Sequence, residues 1–477
     1  MSAGVVRVAP VLPRSSPGWV DGRLLWVGCA VVFGTMLGLG AAVGGVGMAI
    51  MVALIPVAVA LVLAPEWLPI ALLVTVFTEA YSLGGVTISR VAGPIALGLL
   101  LLQTAPGSAA RFRGLDRRVG LYILAYSVWA FASSLWTVNF DGSLQAGGTG
   151  FAIVSLALSA VYLVATATLV TTEQQLRRVV VAVWALGSVM GLVAIAEYLS
   201  GAGRAIGVSG DANFFASLQI VAIPIGAVLV GHVRTSFQRA AVLAGVGISV
   251  GSVIVTLSRG GILALIGLTL LLCFQPARAF FRTHARKRLF LGVMAVGAAL
   301  LLTASYSALS ARTSSLFNTA DGGSGRANLW KAAGTGFGQH PVLGLGFGAF
   351  SSRANDLMRM TPGVDFTAYR LRPGGQPVHN AYLESLVELG PLGAALFIAM
   401  LVSIVRTFRR SARVAARNGS EFLSGVSRAL SLSVIGFAFT SLLLSTETDR
   451  TLWVLMGLAL TLPRITATAS APRGRTP

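Results

Sequence analysis

Charge is what this sequence has least of: only 11% of its 477 residues are Asp, Glu, Lys or Arg, against about 25% in a soluble globular domain. That deficit excludes a soluble enzyme and a charged, disordered chain alike. Lysine is nearly missing, with Lys287 and Lys331 alone among 36 basic residues. The two cysteines, Cys29 and Cys273, both fall inside apolar runs, which excludes a disulfide scaffold and any thiolate metal motif. No Asp-x-Asp pair occurs, so a carboxylate clamp for a divalent ion on a diphosphate is not encoded in any obvious way. What remains is apolar: 55% hydrophobic residues and a mean hydropathy of +0.80. The formal charge of +20 does not indicate nucleic-acid binding, because the arginines are scattered singly between apolar runs instead of forming a basic face.

A helix needs about 20 apolar residues to cross a bilayer core. Read with that window, the sequence predicts an all-α polytopic membrane protein with about 14 transmembrane helices. They fall near 24–40, 44–64, 67–83, 89–105, 118–136, 147–170, 178–198, 213–231, 240–257, 260–274, 289–307, 385–405, 428–445 and 451–463. Placing the N-terminus in the cytoplasm gathers most arginines into the inner connections, while the short outer ones hold only Arg90, Arg204, Arg259 and Arg450. This is the asymmetry that translocation imposes. Both termini are therefore expected in the cytoplasm, with an uncleaved first helix and a cell-membrane location. The expected organisation is a tail over 1–23, helices 1–11 over 24–307, a loop over 308–380, helices 12–14 over 381–463 and a tail over 464–477. Both tails are Pro/Arg/Ser/Thr-rich and expected to be disordered.

The loop over 308–380 stands apart. It lies outside in this topology, carries Arg312, Arg326, Lys331, Arg353, Arg359, Arg370 and Arg372, and is long enough to require a function. Residues 326–333 read as a short helix, followed by a Gly-rich turn over 334–348. The glycines at 344, 346 and 348 resemble a phosphate cradle, but without a strand-then-helix context a tight turn is the better reading. Of the histidines, His232 and His284 read as solvated inner-loop residues, His340 as part of a His-Pro turn, and His379 closes the outer loop. Asn380 reads as the N-cap of a helix from Ala381, with Glu384 and Glu388 on one face of it. Glu79 and Glu197 read as snorkelling or capping acids at outer helix ends.

From residue 210 onward the chain resembles the O-antigen ligase and polymerase superfamily of bacterial polysaccharide assembly. The stretches that carry the resemblance are 210–216 (GDANFFA), 258–261 (SRGG), 325–330 (GRANLW) continuing through 339–348 (QHPVLGLGFG), and 379–384 (HNAYLE) with 388–390 (ELG). Together they cover about 210–393. The resemblance implies a metal-independent glycosyltransferase, needing no cofactor, that moves a glycan from a polyprenyl diphosphate donor to the hydroxyl of a glycan, lipid or protein acceptor at the outer membrane face. It also implies functional roles for Arg259, Arg326 and His379.

The chemistry asks for those residue types. A departing diphosphate needs fixed cations, which arginine supplies through a planar fork, and an attacking hydroxyl needs a base of near-neutral pKa, such as histidine. Arg259 and Arg326 are thus candidate diphosphate ligands and His379 the candidate base. Arg353, Arg372, Asn380, Glu384 and Trp330 are candidate substrate contacts. Each has a plainer reading: interfacial snorkelling for Arg259, a solvated helix position for Arg326, a belt aromatic for Trp330, a solvated face for Arg353, Arg370 and Arg372, and a favourable first turn for Glu384. Rival functions are a lipid-linked oligosaccharide flippase, for which no internal repeat is visible, a glycan polymerase relying on a loop carboxylate (Asp321, Asp356 or Asp365), and a membrane scaffold.

Overall fold

The computed structural model describes residues 61, 63–78, 82–83, 86–102, 112–137, 140, 142, 147–308, 310, 326–364 and 375–468, of which those from Glu66 onward pack as one unit. The expected span at 24–40, that at 44–64 apart from residues 61, 63 and 64, the tail over 1–23, and Cys29, Glu79, Arg312, Asp321, Asp365, Arg370 and Arg372 lie outside the described residues.

Apart from a two-residue hairpin pairing Ser82–Leu83 with Val86–Thr87, the described elements are helical. They are α1 (Leu68–Phe77), α2 (Ile88–Leu102), α3 (Arg117–Ala132), α4 (Thr149–Leu169), α5 (Glu173–Leu199), α6 (Ala212–His232), α7 (Ser236–Val255) and α8 (Arg259–Cys273). Then come the single turn α9 (Ala277–Phe280), α10 (His284–Ala304), α11 (Arg326–Gln339), α12 (Ala349–Met360), α13 (Ala381–Arg417), α14 (Glu421–Thr440) and α15 (Arg450–Thr468). Among the described residues nine helices are long and apolar enough to cross a membrane, and three shorter ones, including α8, are apolar. This is an all-helical membrane protein.

Caps punctuate the chain where the sequence supplies them. Asp116, Asp211, Ser258 and Asn380 each accept backbone N–H bonds at a helix start, and Thr172 and Thr235 form reciprocal capping boxes with Gln175 and Gln238. Such caps satisfy amides that a helix leaves orphaned.

Helix α6 is buried along almost its whole length and packs on α5, α7, α8 and α14. Helices α14 and α15 complete the interior, α15 lying on α4 and α13. Helix α10 sits at the periphery, with only Phe290 and Met294 of its side chains buried.

Four sequence expectations change. The helix over 326–333 continues to Gln339, so the Gly-rich turn begins only at His340. Gly336 is tolerated there because an added Cβ would press on Val387, Leu345 and Leu357 at 3.1–3.2 Å; close packing outweighs its low helix propensity. A second helix, α12, occupies the loop, marked by apolar spacing at Ala349, Phe350, Ala354, Leu357 and Met358. Helix α13 spans 37 residues where 385–405 was expected, because its arginine-rich end stays amphipathic, with Phe408, Ala412 and Ala415 buried. Likewise α15 continues to Thr468, so the tail expected from 464 begins later.

Candidate active site

The start of α13 is held by more bonds than a helix needs. Asn380 Oδ1 accepts from Tyr382 N and Leu383 N, each at 3.1 Å, which is the cap the sequence predicts. Just before it, His379 stands in the left-handed region (φ 56°), where a non-glycine residue is uncommon and strained. What holds it there is the turn between α14 and α15. His379 N donates to Ser445 Oγ at 3.1 Å, Ala381 N donates to Ser441 O and Leu444 O, and Ser445 Oγ donates to the Glu384 carboxylate. Tyr382 Oη adds a bond to Ala438 O at 2.9 Å.

Two further elements reach the same place. Trp330 Nε1 on α11 donates to Val378 O at 3.2 Å, next to His379. Arg326 lies one turn earlier on α11, on the same face as Trp330. Arg259 is the first residue of α8, whose next residue, Gly260, lies so near Leu443 that an added Cβ would approach it to 3.2 Å. The starts of α8 and α13 thus abut one turn, 441–449, and α11 is pinned to the approach of α13. The placement of Arg259 has its own support: Ser258 caps α8 through Gly261 N at 3.1 Å and donates to Asn213 Oδ1 at 2.9 Å. Asn213 in turn accepts from Arg204 Nη2 at 2.8 Å. The stretches 210–216 and 258–261 are therefore in direct contact.

Beside this junction lies a cavity of about 380 Å³ bordered by Glu384, Glu388, Glu447, Ser445, Phe151 and Phe347 together with glycines 147, 148, 348 and 375. Glu447 is 6% exposed. Burial, and then the neighbouring Glu384 carboxylate, push its carboxyl well above the ordinary carboxylate range. Among the described residues no group of three His, Cys, Asp or Glu is placed to hold a metal ion.

The glycine turn is occupied by the protein itself. Helix α13 breaks at Gly390 (φ 70°, ψ −174°), just before Pro391, which frees carbonyls of the preceding turn. Leu345 N and Gly346 N take up Val387 O and Glu388 O at 2.9 and 2.8 Å, and Trp129 Nε1 takes up Leu389 O at 2.9 Å. The Glu388 carboxylate then accepts from Gly348 N at 2.7 Å and Phe350 N at 3.0 Å, capping α12. Amides that a phosphate would use are already committed to this brace. His340, whose N donates back to Gly336 O and Phe337 O of α11 and whose O accepts from Gly344 N, opens the same feature.

Other candidates fall elsewhere or into structural roles. Arg353 is half-buried on α12. Asp356 pairs with Arg359 at 3.6 Å on an exposed face. Glu197 accepts from Ile206 N and Gly207 N, bracing the link before α6. His232 closes α6, with Nδ1 2.9 Å from Val228 O, and His284 opens α10; neither is a loop residue. Sequence reasoning missed Glu447, Ser445 and the Arg204–Asn213 bond. For the first two the available signal was residues 445–450 (STETDR), a polar run in the short link between the last two apolar segments.

The family model described as O-Antigen ligase matches residues 244–398, from within α7 to the middle of α13, about a third of the chain. No curated protein matches it.

Proposed function

We propose, from the premise that residues 244–398 place this chain in the O-antigen ligase family, that it is a membrane glycosyltransferase of ligase or polymerase type. Its donor is a glycan on a polyprenyl diphosphate, and its acceptor a hydroxyl of a glycan, lipid or protein. In this reading the chain crosses the cell membrane fourteen times, with both termini in the cytoplasm and residues 308–380 capping the outer face.

The reaction is a single inverting displacement. The acceptor oxygen attacks the anomeric carbon as the bond from that carbon to the phosphate oxygen breaks. His379 takes the hydroxyl proton, and the polyprenyl diphosphate leaves with the bonding electron pair. Arg259 and Arg326 meet the charge that develops on the leaving oxygens, in a site flanked by apolar helices where such pairing is less screened than in water. The cavity carboxylates and the faces of Phe151 and Phe347 suit a sugar, which offers hydroxyl donors and apolar C–H surfaces. No step needs a metal.

One observation carries this reading: the strained His379 is fastened to the 441–449 turn, against which the start of α8 also packs, while α11 is bonded to the residue beside it. The test is transfer by purified protein from a defined lipid-diphosphate oligosaccharide to candidate acceptors. His379→Ala is expected to lower kcat on the order of 10²–10⁴-fold, the general-base range, in a protein that still inserts and folds. Wild-type transfer should persist in chelator. Full activity in the variant, or loss with chelator, overturns the mechanism.

A further inference from the structure

The end of α13 remote from His379 carries a second constellation that the transfer reaction does not use. From Pro391, just past the break, to Arg409 the helix rises roughly 27 Å, close to the thickness of a bilayer's hydrocarbon core. There Arg409, Arg413 and Arg428 border a cavity of about 380 Å³ with Gln275, Ser431 and Leu432, and no acidic residue lines it. Neighbouring cations at this end are engaged by the protein: Arg282 pairs with Glu421 at 3.0 Å, Lys287 donates to Gln275 O at 2.9 Å and Arg177 lies 3.8 Å over the Phe422 ring. By contrast, Arg428 Nε and Ser431 Oγ are buried atoms with no hydrogen-bond partner among the described residues, and Ser431 is 3% exposed. A buried donor without an acceptor is costly and points to an acceptor supplied from outside the chain.

Arg409 also closes the foot of a groove of about 470 Å³ between α13 and α14, whose walls include Leu401, Val405, Val434, Ala438 and Leu442. A basic, polar cavity and an apolar groove therefore meet at one arginine. We infer that this end of the α13–α14 pair binds an anionic phospholipid, its headgroup phosphate held by Arg409, Arg413, Arg428 and Ser431 and an acyl chain lying along the groove. Charge complementarity and the continuous apolar track select a lipid over a free anion, and basic pockets between membrane helices are suited to such headgroups. The inference needs only that α13 and α14 span the bilayer, and it is independent of the transfer chemistry.

The test uses the full chain in nanodiscs of equimolar phosphatidylglycerol and phosphatidylcholine, followed by native mass spectrometry of the lipid that stays bound. The wild type should retain phosphatidylglycerol preferentially, and Arg409→Gln with Arg428→Gln should lower that preference about tenfold. Arg278→Gln, which removes an exposed charge near the same end but outside the cavity, should leave it unchanged. If the double variant does not fold, Arg413→Gln, at an exposed position, takes its place with a smaller expected loss. An equal loss in Arg278→Gln, an undiminished preference in the cavity variants, or no preference in the wild type overturns the proposal. A separate arm adds millimolar inorganic phosphate to detergent-purified protein. Stabilisation equal to that given by phosphatidylglycerol micelles assigns the site to free phosphate and overturns the lipid.

Discussion

Glu388 shows how a single carboxylate serves two elements. It sits on α13 yet caps α12, through Gly348 N and Phe350 N. Glu388→Ala leaves both amides without an acceptor and is expected to cost about 2 kcal/mol or more, read as a lower melting temperature in detergent. Glu388→Gln keeps a carbonyl acceptor and should lose much less. Equal damage from both would mean that charge, not bond acceptance, is what matters. Glu447 makes a different prediction. Its folded-state pKa is raised, by burial first and then by Glu384, so the stability linked to it is complete below the unfolded value of about 4.3 and is lost as pH rises through the folded value. The wild type should therefore melt higher near about pH 5 than near about pH 8, and Glu447→Gln should flatten that slope. A slope unchanged by the substitution would assign it to other groups. At this scale the sequence was partly legible. Asn380 could be read as a cap because its type and its place before an apolar run define one, whereas Glu447 could not be read, since its meaning depends on Glu384, 63 positions earlier in the chain and beside it only after folding.

At the scale of elements, the break in α13 and the glycine turn form a single unit. Gly390 has φ 70° and Gly344 φ 72°, and each lies against the other's segment: a Cβ on Gly390 would meet Val342 O, and one on Gly344 the carbonyl of Glu388. Gly390→Ala therefore suffers twice, from the left-handed backbone and from the collision. It should destabilise the start of α13 by a few kcal/mol, on the order of the known cost of backbone strain, with transfer activity falling as His379 loses its bracing. A Gly390→Ala protein with wild-type melting and turnover would show that the break is not needed. The helices were easy to anticipate where the apolar period is long, as in α4 or α6. Where it is short they are harder to read: α12 has only twelve residues, and the helix expected over 326–333 stops short of the three glycines of α11, at which propensity alone would end it. What keeps α11 going is contact with Val387, Leu345 and Leu357, invisible in a linear reading.

For the whole molecule, the asymmetry of α13 supports the orientation proposed above and supplies its test. One end adjoins the strained histidine and the polar cavity. The other carries Arg406, Arg409, Arg410, Arg413 and Arg417, a cluster that translocation strongly disfavours. Past its break at Gly390 the helix runs on to Arg417 for roughly 40 Å, enough to cross the bilayer core. The topology proposed above puts the arginine end in the cytoplasm and the His379 end outside, where a lipid-linked donor would meet its acceptor. The two native cysteines, replaced by serine, leave a background in which single cysteines report sidedness. In intact cells a membrane-impermeant maleimide should label Arg359→Cys, on the exposed face of α12, and leave Ala416→Cys, near the far end of α13, unlabelled until the membrane is opened. Labelling of Ala416→Cys alone would invert the topology and put the proposed base on the cytoplasmic side. Labelling of both from outside would mean that α13 does not cross, and neither the transfer site nor the lipid site could then stand.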